Sequence, residues 1–276
     1  MLRNVQLTGI LGKPRLDFKN NEELGKYYEG KYREGGYEGG FILCGINVSE
    51  LNHRARHASA FRLLAPQGIQ RILDAGCGDG RLSAQIAPHC RDVHAIDIAP
   101  NAFDPRHAAG LANLKFQAMN VEHLAFEDEF FDQIVCVETL EHLLNPQLAL
   151  REFERTLKPG GRLVITYPTI NRTFIKKIQE RLRIGRRLEI SEHLNEWSYD
   201  EIVENGKAAG LNLLKSEGVI FDFGVFGWLK AASRFFARGI TALSFKITCF
   251  PRNSSVVSVV FRKSGQGVRP PESAAA

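Results

Sequence analysis

The chain has 276 residues, 44% of them apolar and 24% charged, with a net charge of +5 and a pI near 9.0. Such values belong to an ordinary α/β domain with additions, and the mild positive charge permits an anionic partner without selecting one. The five cysteines at positions 44, 77, 90, 136 and 249 include no C-x-x-C pair, which argues against a disulfide framework or a cysteine zinc site.

Nothing at the N-terminus reads as a basic-then-apolar leader, and no apolar run approaches the roughly 20 residues of a membrane span. The expectation is a cytoplasmic protein. Residues 1–48 form an N-terminal extension in which Tyr27, Tyr28, Tyr32 and Tyr37 stand among charges, interrupted by Gly35-Gly36 and Gly39-Gly40. It is expected to pack over the domain as a lid, with its first ~20 residues open to disorder. Ser49 is expected to cap a helix that runs to Leu64 and stops before Pro66, with His53, Arg54, Arg56 and His57 on a solvated face.

From residue 69 the pattern becomes repetitive. Strands are expected at 71–75, 93–98, 114–118, 131–138 and 162–167, and helices at 81–88, 102–110 and 146–157. Lys158-Pro159-Gly160-Gly161 marks a turn. Further on come a helix at 199–209, with Ser198 and Glu201 spaced as a capping box, a strand at 213–219 and a β-branched run at 254–261 that slots back into the sheet. Short apolar strands alternating with helices predict a parallel sheet covered on both faces, with right-handed crossovers. The main domain is therefore set at 49–263. It carries an aromatic and basic insertion at 221–247, and a disordered tail comes after it at 264–276. The insertion is read three ways: a helix packed on the sheet, a pocket wall for a hydrophobic acceptor, or an amphipathic helix in peripheral contact with a membrane.

The informative stretch is Arg71 to Gly80, R-I-L-D-A-G-C-G-D-G. A strand ends at Asp74, and Gly76, Gly78 and Gly80 then let backbone approach a ligand closely, because glycine lacks Cβ and tolerates positive φ. A βα turn that merely needs small residues is the plain alternative. Asp97, at the tip of the second strand, is placed to accept from both hydroxyls of a ribose, with Ile98 as an apolar face for a purine. Asn120 and Val121 would stand at the purine's edge. Asp97 as a simple helix N-cap is the competing reading.

In order, Leu73-Asp74-Ala75-Gly76-Cys77-Gly78-Asp79-Gly80, Asp97, Phe131-Asp132-Gln133-Ile134-Val135-Cys136 and Leu157-Lys158-Pro159-Gly160-Gly161 resemble the motifs of class I S-adenosylmethionine-dependent methyltransferases. The resemblance spans roughly residues 50 to 220. It implies a doubly wound, seven-stranded, mostly parallel sheet with an antiparallel last pair, and S-adenosyl-L-methionine as cofactor. It also implies a cofactor site built from Asp74, Gly76, Cys77, Gly78, Gly80, Asp97, Ile98, Asn120, Val121 and Val137. Arg81 stands where the dehydrogenase G-x-G-x-x-G pattern needs its last glycine, which disfavours an NAD enzyme.

Glu138-Thr139-Leu140-Glu141-His142 comes after the fourth strand. On a helical turn Glu138, Glu141 and His142 would share a face. They could then bind a divalent metal, or His142 alone could serve as base. This E-x-x-E-H is similar to the segment of ubiquinone-pathway O-methyltransferases and of small-RNA 2′-O-methyltransferases. His193, in His-Leu-Asn-Glu-Trp-Ser, resembles the residue that completes the metal site in the RNA enzymes. The plain reading is cofactor-site polarity, with Ser198 simply capping a helix. The expected activity is O-methylation of a small-molecule, sugar or lipid-linked acceptor. A metal-dependent RNA 2′-O-methyltransferase and a non-catalytic partner subunit are the alternatives.

Overall fold

A computed structural model describes residues 5–6, 15–34, 42–43, 46–169, 192–220 and 251–265. The aromatic insertion at 221–247, most of the 264–276 tail and much of the N-terminal extension lie outside the described residues, and so do the expectations placed on them.

The centre is a seven-stranded sheet of β1 (Arg71–Ala75), β2 (Asp92–Asp97), β3 (Leu114–Ala118), β4 (Phe131–Val137), β5 (Leu157–Pro168), β6 (Leu211–Ile220) and β7 (Val256–Lys263), in the order β6-β7-β5-β4-β1-β2-β3. β3, β2, β1, β4 and β5 run parallel, and β7 pairs antiparallel with both β5 and β6. The doubly wound sheet and antiparallel last pair therefore form as expected. Alternate residues of one strand face opposite sides. Leu73 and Ala75 enter one apolar cluster with Ile134, Phe153 and Tyr167, whereas Ile72 enters another with Val93, Val135, Leu64 and Ile86. A sheet buried on both faces must be apolar throughout, and that is what makes these strands legible.

Helices cover both faces. On one side lie α4 (Pro146–Thr156), which buries Ala149, Leu150, Phe153 and Thr156 at helical spacing, and α5 (Tyr199–Ala208). On the other lie α2 (Val48–Leu64) and the short α3 (Arg81–Ile86). Each fully buried Phe or Leu contributes about 1.5–3 kcal/mol of hydrophobic stabilisation. The capping box forms: Ser198 Oγ accepts from Glu201 N (3.3 Å), and Ser198 N donates to Glu201 Oε2 (2.7 Å).

Several local expectations are corrected. The cap of α2 is Asn47, whose side chain accepts from Glu50 N at 3.0 Å, and Ser49 lies inside the helix. No α-helix forms at 102–110. Asp104 turns back on Arg106 N (3.0 Å) ahead of Pro105, leaving a 3-10 turn at Pro105–Ala108. β5 begins at Leu157, and its pairing with β4 jumps from Phe131↔Leu157 to Gln133↔Arg162, so residues 158–161 bulge out within the strand. The N-terminal extension contains α1 (Asn21–Arg33), which packs Leu24 and Tyr28 against Ala99 and Ala102 beyond β2.

Candidate functional site

The strand order reverses at β1, between β2 and β4, so the loops after these strands open a crevice at their carboxyl ends. A cavity of about 1190 Å³ fills it, walled by the glycine loop, the tips of β2 and β3, α1, α2 and the segment around His142 and His193.

The loop is fixed by backbone. Gly76 and Gly80 have φ of +76° and +84°, and a Cβ at Gly76 would stand 2.2 Å from Thr139 Oγ1, while one at Gly80 would stand 2.6 Å from the Phe116 ring. The N–H groups of Gly76 and Cys77 both donate to Ile96 O at 2.9 Å. Gly78 N donates to Asp97 Oδ2 (3.0 Å), and Ala99 N to Asp97 Oδ1 (3.0 Å). Asp97 is thus oriented by two backbone donors and not by capping a helix. Burial raises its carboxyl above the usual range, against the opposing pull of those donors.

Gly76, Cys77, Gly78, Asp97, Ile98, Asn120, Val121 and Val137 all line the cavity. Asp74 and Gly80 do not. Asp74 is buried beneath the loop, where it accepts from Ser83 Oγ at 2.6 Å, and burial pushes its carboxyl up to about 7. That bond ties the end of β1 to α3. Asn120 accepts from Glu122 N at 2.9 Å, a local turn.

At the other end of the cavity the expected helical face is not formed. β4 ends at Val137, Glu138 takes a left-handed φ of +52°, and a 3-10 turn spans Leu140–His142. Glu138 reaches Arg56 Nη1 (3.2 Å) on α2, which favours its charge against the burial that raises its pKa. Glu141 is fully buried, and neither of its oxygens has a hydrogen-bond partner among the described residues. Burial, and then the charge of Glu138, hold its carboxyl well above the ordinary range. His142 Nε2 lies 3.8 Å from Glu141 Oε1, and its Nδ1 lies 3.1 Å from the carbonyl of Glu192. Burial, then the neighbouring His193, lowers the His142 imidazole to about 4, so it is uncharged at neutral pH.

Glu141, His142 and His193 each bring a ligand-type atom within 4.8 Å of the others, and Glu138 lies outside that group. Of the four candidate ligands, the structure thus brings three together, while Glu138 pairs with Arg56. Sequence reasoning also missed part of the wall. His53, Arg56 and His57 on α2 line the cavity and are not a solvated face, and burial, then His53, lowers His57 to about 4. The signal available was the spacing of His53, Arg56 and His57 at i, i+3 and i+4. Tyr28 and Glu192 also line it, brought in from distant sequence.

With this geometry in view, residues 73–165 match the methyltransferase domain family. That segment, about a third of the chain, is where the similarity to methyltransferases lies. A ubiquinone biosynthesis O-methyltransferase from Xanthomonas oryzae pv. oryzae is 40% identical over 107 residues, covering 37% of this chain and 44% of that protein. One from Coxiella burnetii is 36% identical over 108 residues, covering 38% and 45%. The match thus spans less than half of either relative. Among solved structures, the Burkholderia thailandensis 1,6-didemethyltoxoflavin-N1-methyltransferase with bound S-adenosylhomocysteine is similar at a TM-score of 0.57 and 16% identity, over 95% of this chain and 99% of that one. The cyclase SpnF is similar at 0.60 and 20%, over 89% and 97%. These likenesses show the fold.

Proposed function

We propose that the chain transfers a methyl group from S-adenosylmethionine to a hydroxyl of a small polar acceptor. The observation that carries this reading is one cavity lined both by the glycine loop with Asp97 and by the neutral imidazole of His142. Gly76 to Gly78 would lie along the methionine portion, Asp97 would accept from the ribose hydroxyls, and Ile98, Asn120 and Val121 would surround the purine. S-adenosylmethionine supplies a methyl carbon already activated by a sulfonium leaving group, so positioning contributes most of the rate. His142 Nε2 takes the acceptor's hydroxyl proton as the oxygen attacks, a role that typically contributes 10²–10⁴-fold.

The acceptor wall of Tyr28, His53, Arg56, His57 and Glu138 is rich in hydrogen-bonding groups. That favours a sugar-like or otherwise hydroxylated acceptor. A phenol of the kind named in the curated relatives is the other candidate, but α1, α2 and His193 lie outside the matched family segment, so acceptor preference is not carried over with it. A fold of this kind also serves a cyclase, so the chemistry rests on the site and not on the architecture.

The buried Glu141 carboxylate, whose oxygens have no hydrogen-bond partner among the described residues, fits a divalent cation, and Glu141, His142 and His193 would hold it. It would supply Lewis-acid polarisation of the acceptor oxygen.

The test is radiolabelled methyl transfer into fractionated extract, with and without EDTA, beside calorimetry with S-adenosylhomocysteine. Asp97→Ala should weaken cofactor binding at least tenfold. His142→Ala should leave it within about threefold and abolish most turnover. Equal loss of affinity in both variants would overturn this division of roles. Chelator-resistant label would remove the cation from the reading.

A further inference from the structure

The base reading leaves open what makes His142 competent, and the answer lies outside the matched domain. A carbonyl oxygen only accepts, so the contact with Glu192 O requires the proton on Nδ1 and presents the Nε2 lone pair towards Glu141. The tautomer of His142 therefore depends on where residue 192 sits. Leu194 N and Asn195 N hang the next residues on the Glu141 carbonyl, at 2.7 and 2.9 Å. The Glu192 side chain is held by α1: Tyr27 Oη donates to Oε1 at 3.2 Å, and the Lys31 ammonium pairs with Oε2.

The same helix is fastened at the nucleoside end of the cavity. Asn21 Nδ2 donates to Glu122 Oε2 at 2.9 Å, and Asn101 Nδ2 donates to the carbonyl of Glu29 at 2.9 Å. Gly25 packs on Ile98, where a Cβ would stand 3.4 Å from its side chain. Leu24 and Tyr28 are buried, and the Tyr28 ring meets His142 edge-on with centroids 5.9 Å apart. So one helix touches the residues beside the proposed purine position and the residue that sets the base.

We propose that Lys31 and Tyr27 are positioning residues: by holding Glu192 they fix the place and tautomer of His142, so that docking of α1 across the cavity assembles the proton-accepting site. The inference rests on His142 as the group that faces the acceptor. It applies equally whether Nε2 receives a proton or a cation, since both need Nδ1 protonated. The partly buried Lys31–Glu192 pair, 17% and 31% exposed at the side chains, suits this better than a surface ion pair, because screening is weaker there.

The experiment uses the full chain carrying Lys31→Met with Tyr27→Phe, and separately Glu192→Gln, which breaks the ion pair from its other side. Long-range proton–nitrogen spectra of the His142 ring should show a single Nδ1-protonated tautomer in the parent and a mixture in both variants. Turnover should fall about tenfold with affinity for S-adenosylhomocysteine within threefold, and Lys31→Arg should restore most of it. Unchanged ring signals in both variants would overturn the proposal, as would lost affinity in parallel with lost turnover. The spectra need no acceptor. If the parent shows the single tautomer and the variants the mixture while no fraction accepts label, the positioning inference survives and the methyl-transfer reading is the one that fails.

Discussion

At the scale of single residues, the site depends on a few positions where no other side chain fits. Gly76 combines a φ of +76° with a virtual Cβ 2.2 Å from Thr139 Oγ1. Gly76→Ala therefore incurs about 1–3 kcal/mol of backbone strain and must also displace Thr139. The expected outcome is at least tenfold weaker S-adenosylhomocysteine binding and a lower melting temperature. The Gly76→Ala/Thr139→Gly pair should recover only part of each, because removing the clash leaves the φ unchanged. Calorimetry and thermal unfolding on both variants check this. A double variant that matches the parent would show that strain is negligible. Glu138 is the complementary case, a non-glycine residue at φ +52° that turns its carboxylate towards Arg56.

At the scale of elements, α5 is held at its start by the Ser198–Glu201 capping box and by Trp197, which stacks on Tyr167 with ring centroids 5.7 Å apart. Ser198→Ala should cost about 1 kcal/mol, read as a lower urea midpoint at unchanged slope. That box, the glycine loop and the central strands were legible because each is written in neighbouring residues: a spacing of three, alternate glycines, a run of Val, Ile and Leu. The failures share a cause too. The expected helix at 102–110 gave way to Asp104 and Pro105, a local competition that a composition argument passes over. α1 went unread because Gly25 and Gly30 interrupt a polar, tyrosine-rich stretch, and its helix is stabilised by burying Leu24 and Tyr28 against residues more than seventy positions away. Glu192 enters the site by the same long-range route, which no local spacing announces, whereas Arg56 and His57 carried a signal in their shared helical face with His53.

At the scale of the whole molecule, stability should depend on pH through a histidine far from the cavity. His94 on β2 is ringed by Phe126, Phe130 and Phe131, at centroid distances of 5.3, 5.6 and 5.6 Å, and its Nδ1 is buried without a hydrogen-bond partner among the described residues. Burial, the largest cause, lowers its pKa below the ordinary value of about 6.5. The unfolded chain then binds the proton more readily, so the contribution is complete above pH ~6.5 and is lost as pH falls from there through the folded value. His57 and His142 act in the same direction and Asp74 in the opposite one, so the expected result is a difference: His94→Gln should lose less unfolding free energy on acidification than the parent, by at most ~1.4 kcal/mol per pH unit. Denaturant titrations between pH 5 and 8 decide it, and an unaltered slope would assign the acid sensitivity elsewhere. The position of β7 has another kind of consequence. The last described strand, Val256–Lys263, is interior to the sheet and lies between β5 and β6. During vectorial synthesis β5 therefore waits with an open edge, and β6 lacks β7, until residues 256–263 emerge. A polypeptide broken off before residue 256 would expose that open edge to its neighbours.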